Sequence, residues 1–323
     1  TGQGDLKKGG DVLCKRVAVR YAWIQQYRDV YPVARSCMLL GVARSGYYAW
    51  QCRSQQPSER TQENARLLVE LQARHQRHRH CYGSPRMTAD LRAAGWPVNR
   101  KRIARLMQRA GIRARGRCRR RYTTQSQHVY PVAPNRLGQQ GRVSAPNQVW
   151  VADITYVATD EGWVYVALVM DLFSRKLVGW ALESFVDGRL TLAALRMALG
   201  QRHPDSTLVH HSDRGVQYAA TAYRTVLDGC GITLSMSRKG NCYDNAAMES
   251  ANGTIKTERV YGQRYQTRAE AKADLIAYIG YDNTERRHSA LGYHSPAAFE
   301  RQWRNQRSPT KGSSNNTKGD TKI

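Results

Sequence analysis

Three runs of β-branched and aromatic residues, QVWVADITYVA (148–158), WVYVALVMD (163–171) and KLVGWAL (176–182), are separated only by TDEG and LFSR. They read as three antiparallel strands joined by tight turns. Beyond the third run the pattern alternates. A helix over 188–199 leads to a short apolar strand, TLVHHSD (207–213); a helix over 218–229 leads to a second, ITLSMS (232–237); then come a loop and the helix-forming NAAMESANGTIK (245–256). Hairpin strands succeeded by strands alternating with helices predict an α/β fold, a mixed five-stranded sheet covered by helices on both faces.

Three acids occupy unusual places in this pattern. Asp153 lies mid-strand, on the same face as Val151 and Thr155; Asp213 ends an apolar strand and precedes Arg214-Gly215; Glu249 sits on the helix after the loop. On a helical wheel Asn245, Glu249, Asn252, Gly253 and Lys256 form one polar stripe, and Met248, Ala251 and Ile255 an apolar one. Strand interiors disfavour Asp, and a carboxylate near a buried sheet face is costly unless it is paired or binds a metal. Few, hard oxygen ligands suit Mg²⁺, which keeps waters and takes further ligands from a substrate phosphate. Two such ions about 3.5–4 Å apart activate the attacking oxygen and stabilise the leaving one in phosphoryl transfer. Unneutralised, the carboxylates repel, and the pKa of at least one should rise.

Charge names the partner. The 323 residues carry 51 Lys+Arg against 25 Asp+Glu, a net +26, and 29 of the basic but only 7 of the acidic residues precede residue 146. Such self-repulsion predicts a polyanion bound by the first half, and nucleic acid fits best. No run of about 18 apolar residues and no signal peptide is present, which argues against a membrane. Seven cysteines without a CxxC pair predict reduced thiols in a cytosolic setting rather than a disulfide scaffold or a zinc ribbon.

Residues 15–62 read as helical, with Gly41 at the turn of a candidate helix-turn-helix and a polar linker over 51–62. Residues 63–121 read as a basic helix-turn-helix: a long helix over 63–80, a helix starting at Ser84-Pro85, a turn at Gly95-Trp96-Pro97, and a second helix capped by Asn99. That helix carries Arg100, Lys101, Arg102, Arg105 and Arg109 beside Ile103, Leu106 and Met107, so Arg100, Lys101 and Arg105 are candidate DNA contacts. A Pro-, Gly- and Gln-rich stretch over 122–146 reads as a linker to the sheet domain, 147–303. Residues 304–323 read as a disordered tail, and residues 1–14 as disordered or the remnant of a frameshift junction.

The motifs WVADITY, HSDRGVQY, GNCYDNAAMES and RRHSALGYHSPAAFE, with 35 residues between Asp213 and Glu249 and Lys256 seven after the Glu, carry a resemblance. Together they resemble the integrase-type DDE transposases of bacterial insertion sequences, specifically the second-frame (OrfB) proteins of the insertion-sequence-three family, over about residues 20–303. The resemblance implies a ribonuclease H-like core in which Asp153, Asp213 and Glu249 are catalytic and hold two Mg²⁺ ions, with Mn²⁺ able to replace them. It implies that Lys256 contacts transposon-end DNA, with Asn252 and Gly253 leaving room for the DNA backbone. Arg214 either contacts DNA or neutralises the acids, and His211 either orients a ligand or is a satisfied strand-end histidine. Arg286, Arg287 and His288 are expected in a DNA-contacting segment, and Asp244 as the cap of the Glu249 helix. Asp282 stands where the family usually has Asn. The implied reaction is cleavage at the element's ends and then attack of the freed 3′-OH on another phosphodiester. The implied partners are terminal repeats, target DNA, further copies of the chain in a synaptic complex, and an upstream-frame (OrfA) protein. A catalytically decayed repressor of the element ends and a ribonuclease H-like nuclease are the competing readings.

Overall fold

A computed structural model describes residues 16–116, 132–137, 143–238 and 245–307. It comprises two compact units, Thr1–Ala73 and Arg74–Ile323.

The first unit holds three helices, α1 (Val17–Gln26), α2 (Val33–Leu39) and α3 (Arg44–Gln55), and then the start of α4 (Glu59–Arg77). Tyr21, Ile24, Cys37, Leu40 and Tyr47 form its core. Gly41 adopts φ +60°, and Val42 N–H donates to the Cys37 carbonyl at 2.9 Å, so the chain reverses between α2 and α3. The expected linker over 51–62 is largely helical: α3 runs to Gln55 and α4 starts at Glu59. Ser58, behind Pro57, takes up the first free N–H groups through its carbonyl, which accepts from Thr61 at 2.7 Å and Gln62 at 3.0 Å. α4 thus runs straight across the expected domain boundary at 62/63.

In the second unit α5 (Ser84–Ala93) and α6 (Arg100–Arg109) form a helical hairpin. The turn is built by Gly95 at φ +86° and by Arg92 Nε donating to the Val98 carbonyl at 2.9 Å. Asn99 caps α6, its side chain accepting from Arg102 N–H at 2.8 Å. Ile103, Leu106 and Met107 are buried, and Arg100, Lys101 and Arg105 are exposed.

The sheet has five strands in the order β3-β2-β1-β4-β5. Strands β1 (Val149–Thr159), β2 (Gly162–Asp171) and β3 (Leu177–Glu183) form the antiparallel meander. Strands β4 (Val209–Ser212) and β5 (Thr233–Met236) add to β1 in parallel. Alternation along β1 sends Val149, Val151 and Val157 into one cluster and Trp150 and Ala152 into the other. The first cluster is closed by α10 (Ala246–Ile255) and α11 (Arg268–Thr284), the second by α7 (Gly188–Arg202) and α9 (Thr221–Gly229). Helices therefore cover both faces of a mixed sheet, the ribonuclease H-like arrangement. The helix expected over 218–229 is interrupted: α8 (Val216–Ala219) ends at Ala220, which is extended at ψ 140° before α9 begins.

Part of the expected linker belongs to the core, since Ala133, Leu137 and Val143 pack against the two clusters. α12 (Pro296–Arg307) runs past residue 304, where the tail was expected to begin. Its Glu300 is buried and takes Arg202 of α7 at 2.6 Å and Ser174 Oγ at 2.7 Å. Residues 1–14 and 308–323 lie outside the described residues. Among the described residues Cys37, Cys52, Cys81 and Cys230 are free thiols, and no helix is long and apolar enough to cross a membrane.

Candidate active site

Parallel pairing of β1 with β4 decides where the first two acids go. Ala152 is in register with Ser212, so Asp153 and Asp213 come next, side by side on neighbouring strands. Pairing stops there because β4 ends at Ser212, which opens the edge of β1 at Asp153. The third acid arrives on α10. Its apolar side, Met248 and Ile255, is buried in the core, and Asn252, one turn beyond Glu249, donates from Nδ2 to Asp153 Oδ2 at 2.8 Å.

The electrostatics record this proximity. Burial, then the neighbouring charge of Asp213 and more weakly that of Glu249, push the Asp153 carboxyl up to about 7 against the opposing bonds from Ile154 N–H and Asn252. Asp213 Oδ1 accepts from Gly215 N–H at 2.9 Å. Among the described residues no three His, Cys, Asp or Glu side chains form a closed ligating set. Asp213 and Glu249 are near enough to act on the Asp153 charge, but the three carboxylates are not closed to ligating distance.

Orphaned oxygens surround them. Asn252 Oδ1, Asn245 Oδ1 and Tyr218 Oη are buried without a hydrogen-bond partner among the described residues. Asn245 Nδ2 donates to the Ala152 carbonyl at 3.2 Å, and Tyr218, raised well above the usual phenol range chiefly by burial, also feels Tyr223, Asp153 and Asp213. Buried polar atoms of this kind call for an ion or water. The wheel placed Asn245 and Asn252 on the Glu249 stripe, but nothing in the sequence said that Asn252 bonds Asp153.

The other expected site residues divide. Lys256 begins a π-helical turn, Lys256–Val260, with its Nζ 4.4 Å from the centroid of the half-exposed Tyr156 ring on β1. Arg214 Nε donates to the Ser237 carbonyl at 2.7 Å. His211 is buried with Ser235 Oγ at 2.9 Å and Ser237 Oγ at 3.1 Å, the satisfied strand-end histidine. Gly253 is buried, so it does not hold a surface groove open for DNA. Asp244 lies outside the described residues, and Asn245 occupies the cap position of α10 without a side-chain cap bond.

Arg286 and Arg287 correct an expectation. Arg286 is only 3% exposed; its guanidinium donates to Glu258 twice at 2.7 Å and lies 3.5 Å from Asp282. Arg287 donates to Asp90 of α5 at 2.8 Å and to the Tyr293 carbonyl at 3.1 Å. Both are occupied by the fold, which leaves Arg286 no face for a phosphate. Asp282, where Asn was expected, is buried against Arg286 and His288 and needs its charge.

An integrase core domain model matches residues 143–242, a second integrase core model residues 230–296, and an HTH-like domain model residues 62–122. Fold and matches define a polynucleotidyl transferase of the integrase-core type with a helical HTH-like region ahead of it. The chain is 46% identical over 83% of its length, and 98% of the other, to the insertion element IS600 uncharacterized 31 kDa protein of Shigella sonnei. It is 38% identical over 87% of its length, and 98% of the other, to transposase InsF for insertion sequence IS3A of Escherichia coli strain K12. A solved structure of the HTLV-2 integrase catalytic core domain in complex with magnesium aligns with a TM-score of 0.40 at 14% identity, covering 49% of this chain and 99% of that one. The chain belongs to the IS3-family transposases of bacterial insertion sequences.

Proposed function

We propose that Asp153, Asp213 and Glu249 carry metal-dependent cleavage at insertion-sequence ends and the subsequent strand transfer. The observation that carries this reading is the parallel register of β1 with β4, which brings Asp213 next to Asp153, together with Asn252 of the Glu249 helix donating to Asp153 Oδ2 at 2.8 Å. The donor chemistry is that of a hard divalent cation. It offers carboxylate oxygens from three elements, and the orphaned Asn245, Asn252 and Tyr218 oxygens suit the waters that Mg²⁺ retains. When bound, such a cation, Mg²⁺ or Mn²⁺, singly or as a pair, supplies activation of the attacking oxygen and stabilisation of the leaving one.

The chain's own residues do the rest. Asp153, Asp213 and Glu249 hold the cation, and Asn252 orients Asp153 through Oδ2. Lys256, seven residues after Glu249 on the same chain segment and resting on Tyr156, offers its ammonium to an end phosphate. Exposed Arg100, Lys101 and Arg105 on α6 hold the flanking duplex. Arg214, beside Asp213 and fastened to Ser237, limits the charge of the acid cluster. No Ser or Tyr nucleophile is required, because the DNA 3′-OH attacks. Joining two ends calls for two or more copies of the chain, and an upstream-frame protein is a further expected partner; both act where the chromosome is, in the cytoplasm.

The test is strand transfer on duplexes bearing the terminal repeats of the host element, with Mg²⁺. Asp153→Asn and Glu249→Gln should each abolish cleavage and joining while DNA binding persists. Joined product from either variant would remove these residues from the chemistry.

A further inference from the structure

A cavity of about 380 Å³ lies between α10, the β2–β3 turn and the segment at the end of α11. Arg86, Arg175 and Arg286 line it together with Asp282, Ser250 and Ser289. Two of the arginines are spoken for: Arg86 donates to Glu258 Oε1 at 2.8 Å, and Arg286 grips both Glu258 oxygens and approaches Asp282. Arg175 is different. It sits at φ +61° in the β2–β3 turn, half-buried, and no carboxylate or carbonyl among the described residues meets its guanidinium. Burial lowers its pKa, and no carboxylate offsets the effect. Three arginines thus line the cavity with one carboxylate, Asp282, while Glu258 outside the lining engages Arg86 and Arg286.

An unpaired guanidinium partly withdrawn from water is held at a cost unless an anion completes it. Its planar fork fits a phosphate oxygen pair, and Ser250 and Ser289 add hydroxyl donors to the cavity lining. We propose that this cavity binds a backbone phosphodiester of DNA, with Arg175 as the residue that contacts it. Because α10 carries Glu249 on a neighbouring face, a strand held there runs along the helix that presents the third acid. The inference rests on the reading of the protein as a DNA strand-transfer enzyme, but it concerns binding and needs neither a metal nor turnover.

The full chain is titrated with random-sequence duplex DNA by fluorescence anisotropy over a series of salt concentrations. Arg175→Gln should weaken binding several-fold and reduce the slope of log K against log salt by about 0.9, the loss of one phosphate contact. Arg175→Lys should restore most of the slope. In parallel, phenylglyoxal modification of the wild-type protein is mapped by mass spectrometry, which needs no variant to fold; duplex DNA should protect Arg175. An unchanged slope in Arg175→Gln together with unprotected Arg175 overturns the proposal. Protection by inorganic phosphate or pyrophosphate but not by DNA also overturns it, and assigns the cavity to a small free anion. If the wild-type protein shows no strand transfer, the acid-triad reading falls, while the Arg175 slope and protection remain separately readable.

Discussion

Several forces meet on the Asp153 carboxyl. Burial and the charges of Asp213 and Glu249 raise it, whereas Ile154 N–H and Asn252 stabilise the ionised form, and the balance leaves it at about 7 against an ordinary value of 3.8. Linkage sets the sign. Between about pH 4 and pH 7 the unfolded chain gives up this proton while the folded protein keeps it, so stability is fully present below that window and declines through it. Every tenfold difference in proton affinity between the two states corresponds to about 1.4 kcal/mol. In chelator-treated protein, Asp153→Asn should therefore raise the thermal midpoint at pH 8 by more than at pH 5. An equal change at both pH values would show that the carboxyl is not raised. Asn252 acts on the same group. Replacing it with Ala removes the Nδ2 bond to Asp153, and Mn²⁺ affinity measured by calorimetry should fall about 10–100-fold, the usual cost of losing a partner that orients a ligand. Unaltered affinity would mean that Asp153 is oriented without it. The sequence showed Asn252 sharing a helix stripe with Glu249, but a stripe does not say which strand it faces.

Between elements, the tie that matters most is Glu258. The π-helical turn that ends the Glu249 helix points this carboxylate inward, where Arg286 meets it twice at 2.7 Å, Arg86 of α5 at 2.8 Å and Tyr278 of α11 at 2.9 Å. Burial alone would raise its pKa; these partners hold it below the ordinary value. Glu258→Gln leaves buried Arg286 with only the more distant Asp282, 3.5 Å away, as counter-charge, and urea unfolding should report a loss of about 3–5 kcal/mol. The stability that ionised Glu258 contributes is present above pH 4.5, the ordinary value, and is lost as pH falls through the depressed one. A change below about 1 kcal/mol, the range of exposed pairs, would mean that the cluster is solvated. A second contact between elements lies on the other face of the sheet. At Gly179 of β3 an added Cβ would stand 2.2 Å from the Ala194 carbonyl oxygen and 2.8 Å from Ala198 Cβ, so Gly179→Ala must push α7 off the sheet. A cost of about 1–3 kcal/mol is expected in the same urea assay. Alternation made the strands readable from sequence, because Trp150 and Val151 have to go to opposite faces. It could not announce Gly179, whose neighbour is backbone from another helix, or Arg286, which looks like a DNA contact until Glu258, 28 residues earlier, is seen to occupy it.

For the molecule as a whole, the uneven charge, with most of the net +26 ahead of residue 146, has to be read together with the fold. Part of that basic region is spent internally: Arg74 and Arg86 pair with Asp90 and Glu258, and Arg115 reaches the Glu258 carbonyl at 3.4 Å. These contacts fasten the α5–α6 hairpin to the catalytic core within one compact unit. If α6 takes DNA as proposed, that DNA would be held in fixed relation to Asp153 rather than on a free tether. What remains for phosphate is the exposed face of α6, opposite buried Ile103, Leu106 and Met107. Changing Arg100, Lys101 and Arg105 together to Gln should reduce the salt slope of DNA binding by roughly 2–3 if each neutralises one phosphate. Folding should be unaffected, because no ion pair is lost from the core. If the slope does not move while the Arg175 variant lowers it, the duplex is held by the catalytic core alone and the hairpin serves as a structural brace.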